Sequence, residues 1–446
     1  MIKKILIANR GEVALRIIRA CKALSMETVA IYSEADKDSM HVRVADESVC
    51  IGPAKAKDSY NNMQAVMSAA LLTHADAIHP GYGFLSENSE FAEMVEKHDI
   101  IFIGPSSNHI KQLGDKINSK SMMKKYNIPT IDGSDAVKSL EEAKICAEEI
   151  GFPVIIKASN GGGGKGIRIC LEPADLEDSY NAVIQESTAI FGEGSIYIEK
   201  YLEEPRHIEF QILSDGKNAI CLGERECSLQ RRRQKIWEEA PSMVLTNAER
   251  QEFYKKITNM FSEIGYKGAA TLEFLYQNGK LYFMEVNTRL QVEHTVTEEI
   301  TGVDIVKWQI RVAFGEKLSL QQSDVNLTGH AIECRINAED PKDFAPSPKI
   351  VTNHIPALGP YVRIESAIYN GYQIQPYYDS MISKLIVKGD DRDECIRNLK
   401  HALKEYIITG PKHLIPLFIK LVNNADVLSN NIDINWLEKF LNNQAN

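Results

Sequence analysis

The chain has 446 residues, 44% hydrophobic and 25% charged, with no low-complexity tract; that is too long for one ordinary core, so two or three globular domains are expected. Its 61 acidic against 51 basic residues give a formal charge of -10, which argues against nucleic acid or an anionic membrane as the main partner. The eight cysteines form no CxxC pair, and no apolar stretch reaches the length of a signal segment or a membrane span, so a soluble chain in a reducing cytoplasm is expected.

The first hundred residues alternate strand and helix signals. Residues 5–8 read as a buried strand, 12–24 as a helix, and 28–32, 75–79 and 100–103 as further strands. Such alternation predicts a parallel sheet with helices on its faces. The turn after the first strand, Asn9-Arg10-Gly11-Glu12, lacks GxGxxG, which argues against a dinucleotide-binding dehydrogenase. A helix over 111–125 leads through a connector at 127–133 into a small block of helix, strand (154–158), glycine run, strand, helix and strand (196–199). From Pro205 onward strands dominate, with a helix near 248–264 and more helices at the C-terminal end.

The glycine run, Gly161-Gly162-Gly163-Gly164-Lys165-Gly166, lies between two strands, whereas a Walker loop opens a helix as GxxxxGK[ST]. Glycines there offer backbone N–H groups to phosphate oxygens without side-chain obstruction. Lys157, four residues earlier, can aim a cation at the same phosphates. The placement predicts a phosphate-covering lid rather than a plain surface loop.

Two strands joined through Asn278-Gly279 carry Glu273 on the first and Glu285 and Asn287 on the second. Carboxylates set among Phe274, Leu275, Phe283 and Met284 are costly unless a cation compensates them. Two carboxylates and an amide oxygen suit Mg²⁺ (or Mn²⁺) holding nucleotide phosphates. A two-residue turn would send Glu285 to the face opposite Glu273, so an odd loop with a bulged Gly279, pairing residue 273 with 283, is expected. The polar run Thr288-Arg289-Leu290-Gln291-Val292-Glu293-His294 follows at once, as at a functional site.

Read together, these segments resemble a biotin carboxylase of the ATP-grasp superfamily over essentially the whole length. The motifs are Ile7-Ala-Asn-Arg-Gly-Glu12, His79-Pro-Gly-Tyr-Gly-Phe-Leu-Ser-Glu-Asn88, Gly114-Asp-Lys116, the glycine run, Glu199-Lys-Tyr-Leu202 and Arg206-His-Ile-Glu209. Further on come Glu239-Ala-Pro241, residues 285–294, Glu333-Cys-Arg-Ile-Asn-Ala-Glu339 and Tyr377-Tyr-Asp-Ser-Met381. The resemblance implies an α/β and α+β multidomain chain. It would have a Rossmann-like parallel α/β domain over 1–114, a linker helix and connector over 115–133, an ATP-grasp lid over 134–202, and a C-terminal mixed antiparallel-sheet domain over 203–446.

The same resemblance implies the site. Lys116 and Lys157 contact ATP phosphates beneath Gly161–Gly164 and Gly166; Glu199 and the backbone of Lys200 and Leu202 read the adenine; His207 and Gln230 lie near ribose and phosphates. Glu273, Glu285 and Asn287 hold Mg²⁺ or Mn²⁺. Lys235, Arg289, Gln291 and the Val292 backbone surround bicarbonate, Glu293 is its general base, and Arg335 and Tyr82 face biotin. Arg with Lys suits a small planar anion by charge and fork geometry. Departures from the family pattern are Arg233 in place of a frequent histidine, Asn160 in place of a glycine, and Asn435 in place of a histidine; none removes a charge the chemistry needs.

The implied activity is ATP- and bicarbonate-dependent carboxylation of biotin through carboxyphosphate, the first half-reaction of a biotin-dependent carboxylase such as acetyl-CoA carboxylase in fatty acid synthesis. No Ala-Met-Lys-Met segment occurs, so the biotin carboxyl carrier protein is expected as a separate chain, beside a carboxyltransferase subunit and in a homodimer. The alternatives are another ATP-grasp carboxylate–amine ligase, which has no need of Arg289, Glu293 and Arg335 together, and a catalytically dead nucleotide-binding regulator, which would have lost one of these groups.

Overall fold

The computed structural model describes residues 3–134, 136–158, 166–191 and 196–445. Gly161, Gly162, Gly163 and Gly164, with Asn160 before them, lie outside the described residues. The chain forms two compact units: Met1–Ile128 with Arg206–Phe274 and Glu285–Asn446, and Pro129–Pro205 with Leu275–Met284.

The larger unit begins with a five-stranded parallel sheet in the order Glu47–Cys50, Glu27–Tyr32, Lys4–Ile7, Ala77–His79, Ile101–Phe102. Four of these strands follow from their apolar runs. The fifth, Glu47–Cys50, is a mostly exposed edge strand with no such run to announce it. The helix expected over 111–125 is two helices, Ser107–Gly114 and Lys116–Lys125. Asp115 breaks them apart: its backbone is extended (φ -79°, ψ 122°) and its Oδ1 accepts from Asn118 N at 2.8 Å, an N-cap for the second helix.

An eight-stranded antiparallel sheet follows, in the order Lys280–Asn287, Lys267–Gln277, Arg206–Asp215, Ala219–Arg231, Gln234–Ala240, His330–Asn337, Met381–Gly389, Val362–Ser366. Its central strands alternate in the ordinary way. Trp237, Cys334 and Leu385 form one cross-strand row and join an apolar core with Leu399 and Leu403 of the helix Arg392–Glu405. On the two rows flanking it, Glu238 pairs with Glu333 on one side and Arg335 with Lys384 on the other; all four face away from that core. Fully burying each large apolar side chain stabilises by roughly 1.5–3 kcal/mol, which is what holds so charged an opposite face in place.

Two departures from alternation matter. Between the pairs Gln230–Lys235 and Leu229–Trp237 the register slips by one, inserting Ile236 as a bulge. Strict alternation would put Lys235 and Glu238 on opposite faces; the bulge re-aims Lys235. The second concerns the carboxylate hairpin. Asn278 and Gly279 both have positive φ (53° and 75°), which is a two-residue type I′ turn. The odd loop expected from the sequence is therefore wrong, because Asn-Gly already satisfies the tighter turn. Yet Asn287 Nδ2 donates to Glu273 Oε1 at 2.9 Å, so the two share a face.

The smaller unit is a three-stranded antiparallel sheet, Ile167–Cys170, Val154–Ala158, Ile196–Lys200, packed on the helices Leu140–Ile150 and Leu176–Phe191. The hairpin tip joins it through Phe283 N donating to Pro129 O at 2.8 Å. Among the described residues no helix is long and apolar enough to cross a membrane.

Candidate active site

On the charged face of the eight-stranded sheet, the ammonium of Lys235 donates to three carboxylates: Glu209 Oε2 at 2.6 Å, Glu293 Oε1 at 2.7 Å and Glu273 Oε1 at 2.8 Å. Glu293 is 2% exposed and its other oxygen accepts from Arg335 Nη2 at 3.0 Å. Burial alone would raise its pKa, but Lys235 and then Arg335 hold it below the usual carboxylate range. A carboxylate kept ionised in a dry site is a base. Glu273 is held well below the usual range, against burial, by Lys235 and His207. Lys235 is pushed up by the same three carboxylates and stays cationic.

The loop 288–293 completes the arrangement. Arg289 Nε donates to Glu87 Oε2 at 2.7 Å and its Nη2 to Asn287 Oδ1 at 2.9 Å. The guanidinium thus lies beside one of the proposed metal ligands, with the Thr288 N–H also fixed on Glu87 at 3.0 Å. Gln291 Nε2 donates to Glu273 Oε1 at 2.8 Å. The carbonyl of Val292 accepts from Lys384 Nζ at 2.6 Å, which leaves its amide N–H as the backbone donor this residue can present.

His207 Nε2 faces Glu273 Oε2 at 3.3 Å and Glu209 Oε2 at 3.6 Å. Burial and Lys235 lower its pKa, but the carboxylates win and lift it to about 9, so His207 is a cation at neutral pH. Gln230 donates to the carbonyl of Cys227 at 2.8 Å and lies 3.1 Å from His207 Nδ1. Glu285 remains solvent-exposed; burial of its surroundings and the charge of Glu273 raise its pKa, while Lys116 and Lys235 act against them. An ionised Glu273 that raises the proton affinity of Glu285, beside an amide oxygen, fits a hard divalent cation.

Around Arg335, Nε donates to Glu238 Oε1 at 2.5 Å. Tyr82 is half-buried, and its hydroxyl donates to Glu12. Asn9 Nδ2 ties down the preceding turn by donating to the carbonyls of Pro80 and Tyr82, both at 2.7 Å. Cys227, inside this cluster, is a buried thiol whose pKa burial pushes far up, so it is no nucleophile. His294 is fully buried and held neutral, with Nδ1 on the Gln291 carbonyl at 2.7 Å, a packing role. Arg233 shares with Arg232 the exposed turn at 232–233, both at positive φ (66° and 48°).

In the smaller unit Lys157 Nζ pairs with Glu199 Oε2 at 2.5 Å, and Glu199 is buried. Gly133 lies against it: a Cβ there would meet Ile198 O at 2.7 Å and Glu199 Cγ at 2.9 Å. The Lys200 N–H is already given to Asp132 O at 2.9 Å, and its ammonium to the carbonyls of Gly151 and Phe152. Leu202 is half-buried. Gly166, the one glycine of the run that is described, has φ 69° and its N–H faces Glu186 Oε2 at 3.3 Å.

Sequence reasoning gave no role to Glu87, Glu209, Arg225 or Glu238, all of which hold site groups by hydrogen bonds. The signal available was polar alternation, His207, Glu209, Gln211, inside a strand that is otherwise buried and apolar.

Comparison with known proteins gives three family matches: "Biotin carboxylase, N-terminal domain" over residues 1–110, "Carbamoyl-phosphate synthase L chain, ATP binding domain" over 115–321, and "Biotin carboxylase C-terminal domain" over 333–439. The chain is 51% identical to a biotin carboxylase of Pseudomonas aeruginosa over 445 residues, 99% of each chain. It is similar to the crystal structure of a biotin carboxylase–nucleotide complex from Campylobacter jejuni, at TM-score 0.94 and 47% identity, over 98% of this chain and 99% of that one. It is likewise similar to the biotin carboxylase domain dimer of Hydrogenobacter thermophilus 2-oxoglutarate carboxylase with MgADP and bicarbonate, at TM-score 0.92 and 49% identity over 98% of both chains.

Proposed function

Because the chain belongs to the biotin carboxylase family, we propose that it carboxylates biotin on a carrier protein, using ATP and bicarbonate. The observation that carries this reading is the Lys235–Glu293–Arg335 chain, in which one buried carboxylate is held ionised between two cations at 2.7 and 3.0 Å. Bicarbonate is a planar anion with one proton to lose. Lys235, Arg289, Gln291 and the Val292 N–H are the donors that seat it, and Glu293 takes the proton as an oxygen attacks the γ-phosphorus of ATP and ADP departs. Glu273, Glu285 and Asn287 would hold Mg²⁺ or Mn²⁺, which supplies neutralisation of charge on the phosphoryl group. Lys116, Lys157, His207 and Gln230 serve the triphosphate and ribose; Glu199 with the backbone of Lys200 and Leu202 serves the adenine.

Carboxyphosphate then breaks into CO₂ and phosphate. Phosphate removes the ureido N–H of biotin, the nitrogen attacks CO₂, and Arg335 stabilises the oxyanion left on the ureido oxygen, with Tyr82 beside it. A carboxylate–amine ligase would not need a base and a second guanidinium on the same carboxylate, which is why that alternative ranks below. The protein acts in the cytoplasm as a homodimer, with a biotin carboxyl carrier protein and a carboxyltransferase subunit as partners.

The test is ADP release from MgATP with bicarbonate present or absent, and with or without free biotin. Hydrolysis that requires bicarbonate and rises with biotin is expected. Indifference to both refutes the reading.

A further inference from the structure

Arg225 has no solvent exposure, and every one of its N–H groups has a named acceptor. Nε donates to Glu209 Oε1 at 2.5 Å, Nη1 to Gln211 Oε1 at 2.7 Å and Thr297 Oγ1 at 2.9 Å, and Nη2 to Gln291 Oε1 at 3.1 Å and Thr271 Oγ1 at 3.2 Å. It is paired directly across the sheet from Glu209. Arg225 touches neither Lys235 nor Glu293 in any of these contacts, yet two of its acceptors are partners of the reacting groups.

The first is Gln291. Arginine is a donor only, so the Gln291 oxygen must face it. That decides the amide's orientation and turns Nε2 toward Glu273 Oε1, at 2.8 Å. The second is Glu209, whose Oε1 belongs to Arg225 and whose Oε2 belongs to Lys235, at 2.6 Å. Glu209, Glu273 and Glu293 are three buried carboxylates around one ammonium. With Arg225 neutralising Glu209 from behind, and Arg335 sharing Glu293, the ammonium's field remains available to Glu293 and to an incoming anion.

We infer that Arg225 is a positioning residue for the reaction proposed above: from behind the site it sets the Gln291 amide and the Glu209 carboxylate, and through them the ammonium that holds Glu293. The titratable and charged groups facing Glu293 are Lys235 and Glu238 from one strand, Arg335 and Glu333 from the next, Glu209, Arg225 and the neutral thiol of Cys227 from the strands on the other side, and Arg289 from its own loop. When the guanidinium no longer holds Glu209 Oε1, more of the Lys235 ammonium is drawn to Glu209 and less is left for Glu293, whose proton affinity then rises.

The inference rests on the reading of Glu293 as bicarbonate's base, and one experiment separates the two. Bicarbonate-dependent, biotin-stimulated ATP hydrolysis is followed from pH 5.5 to 9 in the wild type and in Arg225→Lys, with ADP affinity measured in parallel. Lysine keeps a cation but cannot serve four partners besides Glu209 in fork geometry. The expected result is a fall in kcat/KM for bicarbonate of about tenfold to a hundredfold, with ADP affinity changed less than about threefold. The acidic limb of the pH profile moves to higher pH, which loss of packing alone would not do. Thr297→Val, which loosens the guanidinium without removing any charge, moves the limb the same way by less, and it carries the test if Arg225→Lys does not fold. A wild type without bicarbonate-dependent hydrolysis overturns the functional reading. A wild type with it, beside variants whose acidic limb stays in place, overturns the inference alone.

Discussion

Replacing Lys235 by Met isolates the charge at the centre of the site, since the methionine stem keeps most of the packing. The lysine side chain is only 12% exposed, and its ammonium meets carboxylates at 2.6, 2.7 and 2.8 Å. Charge-assisted hydrogen bonds are worth roughly 1.5–3 kcal/mol each, but three bonds to one atom do not add, and removing one partner of a buried ion pair costs about 3–5 kcal/mol. Near neutral pH the expected loss is therefore about 4 kcal/mol, or roughly 5 °C in Tm for a cooperative unit of this size.

The sign of the pH dependence follows from the carboxylates. In the wild type, Glu273 and Glu293 are held below their usual values. Their stabilisation is present above the unfolded carboxylate pKa of about 4.3 and is lost as pH falls through the lower folded values. In the variant, Glu273 and Glu293 lose their first counter-ion beside a Glu209 that Arg225 keeps ionised, and their folded pKa values rise toward and above the unfolded one. Their penalty is then full at neutral pH and vanishes on acidification. Thermal melts of metal- and nucleotide-free protein between pH 4.5 and 8 should show a wild-type-to-variant gap that is widest at pH 7–8 and narrows toward pH 4.5. A gap that does not change with pH, or one below about 1 kcal/mol at pH 7.5, would refute the assignment of Lys235 as the common counter-ion.

Arg289→Lys loses the fork that spans Glu87 at 2.7 Å and Asn287 at 2.9 Å; KM for bicarbonate should rise about tenfold or more while ADP affinity holds within about threefold. Glu293→Gln should cut bicarbonate-dependent hydrolysis by about a hundredfold or more with nucleotide binding intact. His207, lifted to about 9, contributes stability that is fully present below its unfolded value of about 6.5 and is lost as pH rises through about 9; metal-free wild type should therefore lose more stability between pH 6.5 and 9 than His207→Gln does. A thiol reagent applied to the native protein should label Cys50 first, since it is the exposed cysteine, and leave Cys227 unmodified.

The sequence made legible those parts of the fold where side-chain period and structure agree. The strands Lys4–Ile7 and Glu27–Tyr32 and the helices Gly11–Ala23 and Asn247–Glu263 fall within a residue or so of their apolar patterns. The helix near 248–264 also starts on a reciprocal Thr246–Glu249 capping box. Where period fails, inference fails with it. Counting by twos from the Asn278-Gly279 turn forced a choice between a tight turn and a shared face for Glu273 and Asn287, and the structure has both. Likewise, the bulge at Ile236 lets Lys235 and Glu238 meet the same Glu293–Arg335 pair, against their odd spacing. Bulges collect at this site because a two-residue period cannot aim consecutive functional side chains at one point.

Arg225 and Glu209 escape a reading by order and spacing for the same reason. A motif lists residues near each other in the chain, whereas charge compensation in a dry interior is settled across strands. Once Lys235, Glu273 and Glu293 are gathered by broken alternation, burial obliges the sheet to supply the remaining counter-charge from the neighbouring strands. The partner row Glu209–Arg225 is where it does so. The residues proposed to meet substrate can be read from order and spacing, but those that decide their charge can be read only from register.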